Sequence, residues 1–202
     1  MPIVFEIGAR DHNDSVHCLQ MFGTDPRETI VHSFECNPFA IGICKKQYEK
    51  MHDEHKRRIV PVYKAVTSYT GSCWFHPIDH KKCDNIGGSS LSENIYEHST
   101  DIYSDIISVP CTTLEDYCNE SNIEVVDFIK VDIEGHDLEA VLSLKDRLKY
   151  LKAIYMEVQI VPIYKDCPLY PEVKETLGDL GFVERIRPNS ETHDNCLFAR
   201  MS

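Results

Sequence analysis

Asp132 and Glu134 flank Ile133 and are followed at once by Gly135. Two carboxylates this close can take up or give back a proton, or share a hard cation with a third acid. Such chemistry belongs at the end of an element rather than in its middle. Val125 to Val131 is short, rich in β-branched residues and mostly apolar, so it reads as a buried parallel strand. Gly135 permits a tight turn, and Leu138, Val141 and Leu142 then recur at helical spacing. Strand, turn and helix together put both acids at the carboxyl end of a strand, where open α/β sheets bind ligands. Acids near a helix N-terminus are also what the helix dipole alone favours, so other stretches have to decide.

A second set of residues sits earlier in the chain. Ile3 to Ile7 reads as a strand ending in Gly8-Ala9, small residues that let a ligand approach the backbone. Thr29 to Glu35 reads as the next strand, and Glu35 lies 27 positions after Gly8. An acid there hydrogen-bonds a ribose diol in dinucleotide folds. The full glycine signature is missing, since only Gly8 is present. A pyrophosphate cradle is therefore not expected, which disfavours NAD and FAD. The absence of a suitable Tyr-x-x-x-Lys pair further weakens an NAD-dependent sugar enzyme. An adenosyl ligand without phosphates, such as S-adenosylmethionine, suits the pattern. Glu35 would take its ribose, Ala65-Val66 at the third strand would meet its adenine, and Glu6 and Asp132 would flank its cationic tail.

The elements that position these residues alternate along the chain. Asp14 or Ser15 is expected to cap a helix reaching Phe22. A helix runs from Pro38 to about His55, and Ile59 to Val66 is the third strand. Residues 72–78 form an extra strand, and 79–105 is a long polar loop, a length usually functional or mobile. Ile106 to Pro110 is an edge piece. Thr112-x-x-Glu115 reads as a capping box. Ala153 to Gln159 is the fifth strand, Glu172 to Leu180 a helix, and Phe182–Ile186 with Cys196–Arg200 a closing hairpin. The expected fold is a doubly wound α/β sheet with an antiparallel edge.

Composition narrows the function classes. The 202 residues suit a single domain. A formal net charge of −12 argues against a nucleic-acid binder, and Lys56-Arg57-Arg58 reads as the solvated end of a helix. The place after the fourth strand also lacks the Pro-Pro-aromatic motif of enzymes that methylate base amino groups. No run is apolar enough to span a membrane. Nine cysteines, an odd number with no Cys-x-x-Cys pair, fit a reducing, cytoplasmic setting. His76, His80 and Cys83 lack an obvious fourth metal ligand. Met1 leads straight into a core strand, as expected of a domain excised from a longer chain.

Taken in order, several stretches resemble the FkbM-type methyltransferases. They are Val4-Phe5-Glu6-Ile7-Gly8-Ala9, Val31-His32-Ser33-Phe34-Glu35-Cys36-Asn37-Pro38, Gly87-Gly88-Ser89-Ser90-Leu91 and Val109 to Asp116. Asp127 to Gly135, Tyr155-Met156-Glu157-Val158 and Asn195 to Arg200 complete the set. The resemblance implies a class I methyltransferase fold, Rossmann-like, with a mostly parallel seven-stranded sheet and an antiparallel C-terminal hairpin. It implies S-adenosylmethionine as cofactor, contacted by Gly8 and Glu35, and methyl transfer to a hydroxyl of a sugar or polyketide. This chain departs from the family pattern at Glu6, Arg10, His136 and Gln159. The size and composition also resemble a methyltransferase domain of a multidomain glycosyltransferase from a large algal DNA virus. That would imply partner glycosyltransferase domains on the same polypeptide, a host-cytoplasmic setting and a deoxyhexose acceptor such as rhamnose on a glycan.

The expected reaction is in-line methyl transfer with a base removing the hydroxyl proton. Asp132 is the first candidate base, His136 the second and Glu157 the third. Ser89, Ser90 and Glu134 are expected to bind the acceptor. If a divalent ion takes part, Asp132, Glu134 and Glu157 would hold it. The reading from another class is a module that binds S-adenosylmethionine or a glycan without turnover.

Overall fold

Strand β1 (Ile3–Ile7) lies between β2 (Ile30–Phe34) and β7 (Phe128–Val131), parallel to both. Parallel neighbours bury both faces, which is why these segments are mostly apolar, with Glu6, His32, Ser33 and Lys130 as buried exceptions. The computed structural model describes residues 1–21, 29–95 and 101–201. Outside β1 and β2 on one side is β3 (Ile59–Val62). Beyond β7 come β8 (Ala153–Gln159), β10 (His193–Arg200) and β9 (Phe182–Ile186). The seven-stranded order is β3-β2-β1-β7-β8-β10-β9, parallel except for β10. β10 is thus inserted between β8 and β9, and the expected hairpin closes the sheet.

Helices α1 (Asn13–Met21), α2 (Pro38–Lys50), α3 (Asp53–Lys56), α4 (Leu114–Glu120), α5 (Asp137–Leu142) and α6 (Tyr170–Asp179) connect the strands. The two faces of β1 have different companions. Phe5 and Ile7 join a large core with Ile129, Val131, Leu138 and Met156. Val4 faces Cys18, Leu19 and Val31 instead. Glu6, two residues from Val4, shares that second face.

A smaller sheet stands beside the large one. It holds β4 (Ala65–Val66), β6 (Ile107–Thr112) and β5 (Gly71–Phe75), in the order β4-β6-β5. The third strand expected over 59–66 is therefore two strands. Pairing with β2 ends at Phe34↔Val62, and Ala65 and Val66 pair instead with Cys111 and Thr112. The piece expected at an edge, β6, is the middle strand.

Other boundaries differ for local reasons. Met51 is extended and ends α2, so the expected helix to His55 is broken in two. Thr113, not Thr112, caps α4, its hydroxyl accepting from Asp116 N at 2.9 Å. At α1 the Asp11 carboxylate accepts from Asn13 N, and Ser15 points inward; the expected end at Phe22 lies outside the described residues. Arg58 is buried and reaches Glu54 at 3.8 Å, so the basic cluster is not all solvated. The described part of the long loop is tied down by bridges His76↔Ser90, Ile78↔Tyr103 and Asn94↔Tyr164. Among the described residues no helix is long and apolar enough to cross a membrane.

Candidate active site

The carboxyl ends of β1, β2, β7 and β8 surround a cleft of about 250 Å³. Its floor is the close approach of two strand ends. Gly8 adopts φ +91°, and a Cβ there would run into the Asp132 carbonyl. Gly8 and Ala9 both donate their N–H to Phe34 O, and Asp132 N–H donates to Ile7 O. Only glycine permits that turn and that contact at once.

One wall is built around Glu35, which is 9% exposed. Its Oε1 accepts from Asn37 N–H at 2.7 Å and its Oε2 from Arg10 N–H at 2.8 Å. Burial raises its pKa, and these backbone amides oppose the rise. A carboxylate held this way presents only acceptors, as recognition of a vicinal diol requires. Ala65, Val66, Phe75 and Leu91 supply apolar lining beside it. A nucleoside without a phosphate bridge fits these groups.

The opposite wall is acidic. Asp132, Glu134 and Glu157 each offer one carboxylate oxygen within 4.8 Å of the others. Burial pushes Glu157 up to about 9, with the charges of Glu134, Asp132 and Asp137 adding to it. Burial also pushes Glu134 up to about 7, against the hydrogen bond from Tyr164. Glu134 sits at φ +58°, and the turn is held by Asp137, which accepts from Ile133 and Gly135 N–H at 3.2 and 3.0 Å. Hard carboxylate donors at this spacing are also what Mg²⁺ selects.

Two neighbours of the cluster were not singled out from sequence. Lys130 Nζ lies 2.9 Å from Asp14 and 3.4 Å from Asp132, with the side chain 10% exposed. The signal for it was a charged residue inside a buried strand. Tyr164 donates to Glu134 Oε2 at 2.9 Å; nothing in the local sequence marks it.

Gly8, Ala9, Glu35, Ala65, Val66, Ser89, Asp132, Glu134 and Glu157 all line the cleft. Three of the expected residues, Glu6, Ser90 and His136, do not line the cleft. Glu6 is fully buried on the α1 side of the sheet and does not line the cleft; its carboxylate accepts from Ser15 and Ser33. Ser90 is also buried, its hydroxyl donating to Glu134 O at 2.7 Å and accepting from Ser92 N–H. Its hydroxyl is thus engaged within the turn that carries Glu134. Ser89 reaches the cleft, yet its hydroxyl already donates to Ile86 O and accepts from Ile78 N–H. His136 lines a separate hollow beyond Gly135, its ring between Ser92 Oγ at 2.8 Å and Glu139 Oε2 at 3.2 Å. His76, His80 and Cys83 form no metal cluster among the described residues, and His80 stacks on Phe39.

A family model described as the methyltransferase FkbM domain matches residues 6–184. The chain belongs to the FkbM methyltransferase family. The FkbM match runs from β1 to β9, so it covers every strand end that lines the cleft. The 2-O-methyltransferase NoeI of Sinorhizobium fredii is 28% identical over 174 residues, 84% of this chain and 65% of NoeI. The chain therefore spans just under two thirds of that relative. The crystal structure of methyltransferase FkbM from Methylobacillus flagellatus KT matches 98% of this chain and 43% of its own, with TM-score 0.58 and 12% identity. Aeropyrum pernix fibrillarin, solved with natively bound S-adenosyl-L-methionine, matches 98% of this chain and 66% of its own, with TM-score 0.54 and 10% identity. At these identities the likeness is one of fold, and that fold is the class I methyltransferase sheet.

Proposed function

We propose that this FkbM-family chain is an S-adenosylmethionine-dependent O-methyltransferase. One observation carries the reading. A single cleft holds a buried carboxylate, Glu35, on one wall and the Asp132, Glu134 and Glu157 carboxylates on the other. S-adenosylmethionine supplies an electrophilic methyl group on a sulfonium. Glu35 would hold the ribose hydroxyls, Ala65 and Val66 would line the adenine edge, and Gly8-Ala9 would let the backbone come close.

The acidic wall handles the acceptor. Asp132 would take the acceptor hydroxyl's proton onto a carboxylate oxygen as that oxygen bonds to the methyl carbon and the carbon–sulfur bond breaks, with S-adenosylhomocysteine as the leaving group. Glu157, pushed up to about 9 by burial, is protonated at neutral pH and would donate a hydrogen bond to the acceptor rather than serve as its base. An oxygen acceptor agrees with the name of the relative NoeI, a 2-O-methyltransferase. The acceptor class is a sugar hydroxyl, with a deoxyhexose such as rhamnose in a glycan as the first choice.

Calorimetry with S-adenosylmethionine on the wild type and Glu35→Ala tests the cofactor. Release of S-adenosylhomocysteine with rhamnosides tests the reaction. Wild-type protein that binds no cofactor sinks the reading, and binding without release for any acceptor favours the non-catalytic module. The spacing of the three carboxylates favours a second reading, in which they hold a divalent cation beside the acceptor. Activity lost in EDTA and restored by Mg²⁺ selects it; activity indifferent to EDTA selects Asp132 alone.

A further inference from the structure

The loop from Gly8 into α1 turns sharply without further glycines. Arg10 and His12 sit at φ +48° and +62°, backbone that side chains disfavour. His12 is fully buried, as are Glu6, Ser15 and Ser33. Ser15 and Ser33 hydroxyls both donate to Glu6 Oε2, the latter at 2.6 Å. Ser33 Oγ lies 2.8 Å and Ser15 Oγ 3.2 Å from His12 Nδ1, so the ring is tied to both hydroxyls. Burial lowers the pKa of the His12 ring and so favours its neutral form. The cluster joins β1, β2 and α1 beneath the loop.

The upper side of the same loop meets the cofactor wall. Arg10 N–H donates to Glu35 Oε2 at 2.8 Å, and Ala9 N–H donates to Phe34 O at 2.9 Å. One residue, Asp11, thus separates the buried anchor from the amide that aims Glu35.

We propose that His12, held by Ser33, Ser15 and Glu6, is a positioning residue for the cofactor. It locks the Ala9–His12 turn so that the Arg10 amide keeps Glu35 aimed at a ribose diol. This rests on the S-adenosylmethionine reading above. Glu6, at the end of β1, then serves the cofactor through His12 rather than by contact.

The test is calorimetry with S-adenosylhomocysteine, alongside thermal melts, on wild type, His12→Gly, Ser33→Ala and the double variant. Glycine suits the left-handed backbone, so His12→Gly removes the anchor without adding strain. Both single variants are expected to bind about tenfold more weakly, as loss of one well-made buried hydrogen bond allows. The double variant is expected to be no weaker than the worse single variant, because the two act along one path. Folded single variants with wild-type affinity, or fully additive losses, overturn the proposal. If His12→Gly does not fold, Ser33→Ala, which removes one hydroxyl, decides alone. Wild-type protein that fails to bind S-adenosylhomocysteine refutes the cofactor reading instead, and shows itself before any variant is compared.

Discussion

The Tyr164 hydroxyl lies 2.9 Å from Glu134 Oε2, so the segment after β8 reaches into the carboxylate cluster and fixes one of its members. Tyr164 is buried, and its Oη also lies 3.3 Å from the Gly88 carbonyl. Tyr164→Phe keeps the ring and removes both contacts. Turnover is expected to fall about tenfold, the worth of one hydrogen bond to a charged group. Cofactor affinity should stay within about twofold, because Tyr164 does not line the Glu35 wall. Parallel kinetics and calorimetry check the split; an equal loss in both would place Tyr164 in general stability.

Asp132→Asn removes the proposed base with little change of shape. A positioned base contributes about 10²- to 10⁴-fold, and kcat is expected to fall within that range. Cofactor binding should persist. Near-normal turnover in this variant would remove Asp132 from the proton transfer.

Glu35→Gln is expected to be worse than its size suggests. Both carboxylate oxygens face backbone N–H donors, Asn37 and Arg10. A glutamine must turn its own NH₂ toward one of them, leaving a buried donor unpaired at a cost of about 1–3 kcal/mol. Weakened S-adenosylmethionine binding together with a lowered Tm is the expected result. Unchanged affinity would show that Glu35 does not contact the nucleoside.

His136→Ala should leave turnover within about twofold, since the ring faces Ser92 and Glu139 rather than the cleft. A kcat loss as deep as that of Asp132→Asn would return His136 to the list of bases.

The carboxylate cluster also predicts how stability follows pH in the ligand-free, metal-free protein. The folded chain holds Glu134 up at about 7 and Glu157 at about 9, against an ordinary value of 4.5. Above pH 4.5 the unfolded chain releases protons that the folded chain keeps. The linked stability is thus whole below about 4.5 and is lost as pH rises through 7 and then 9. Thermal melts from pH 5 to 9 should show a falling Tm, and Glu157→Gln should flatten its alkaline part. A Tm rising over that range would contradict the burial assigned to these acids.

Some of this molecule is decided by the chain alone. The strands expected at 3–7 and 153–159 coincide with β1 and β8, because mostly apolar stretches of this length suit a strand buried on both faces. The strand-turn-helix patterns were enough to bring Gly8, Glu35, Asp132, Glu134 and Glu157 to one cleft, since parallel strands end on one side of a sheet. What a side chain does there was decided by tertiary structure. Glu6 is one residue from Ile7, yet the pleat turns it away from the cleft and into the His12 cluster. His136 follows Gly135, and the left-handed turn at Glu134 and Gly135 carries its ring into another hollow. Tyr164 and Gly88 meet across 76 positions of chain, a contact that no local period encodes. Periodicity reports where an element ends; which way its last residues point depends on what packs against them.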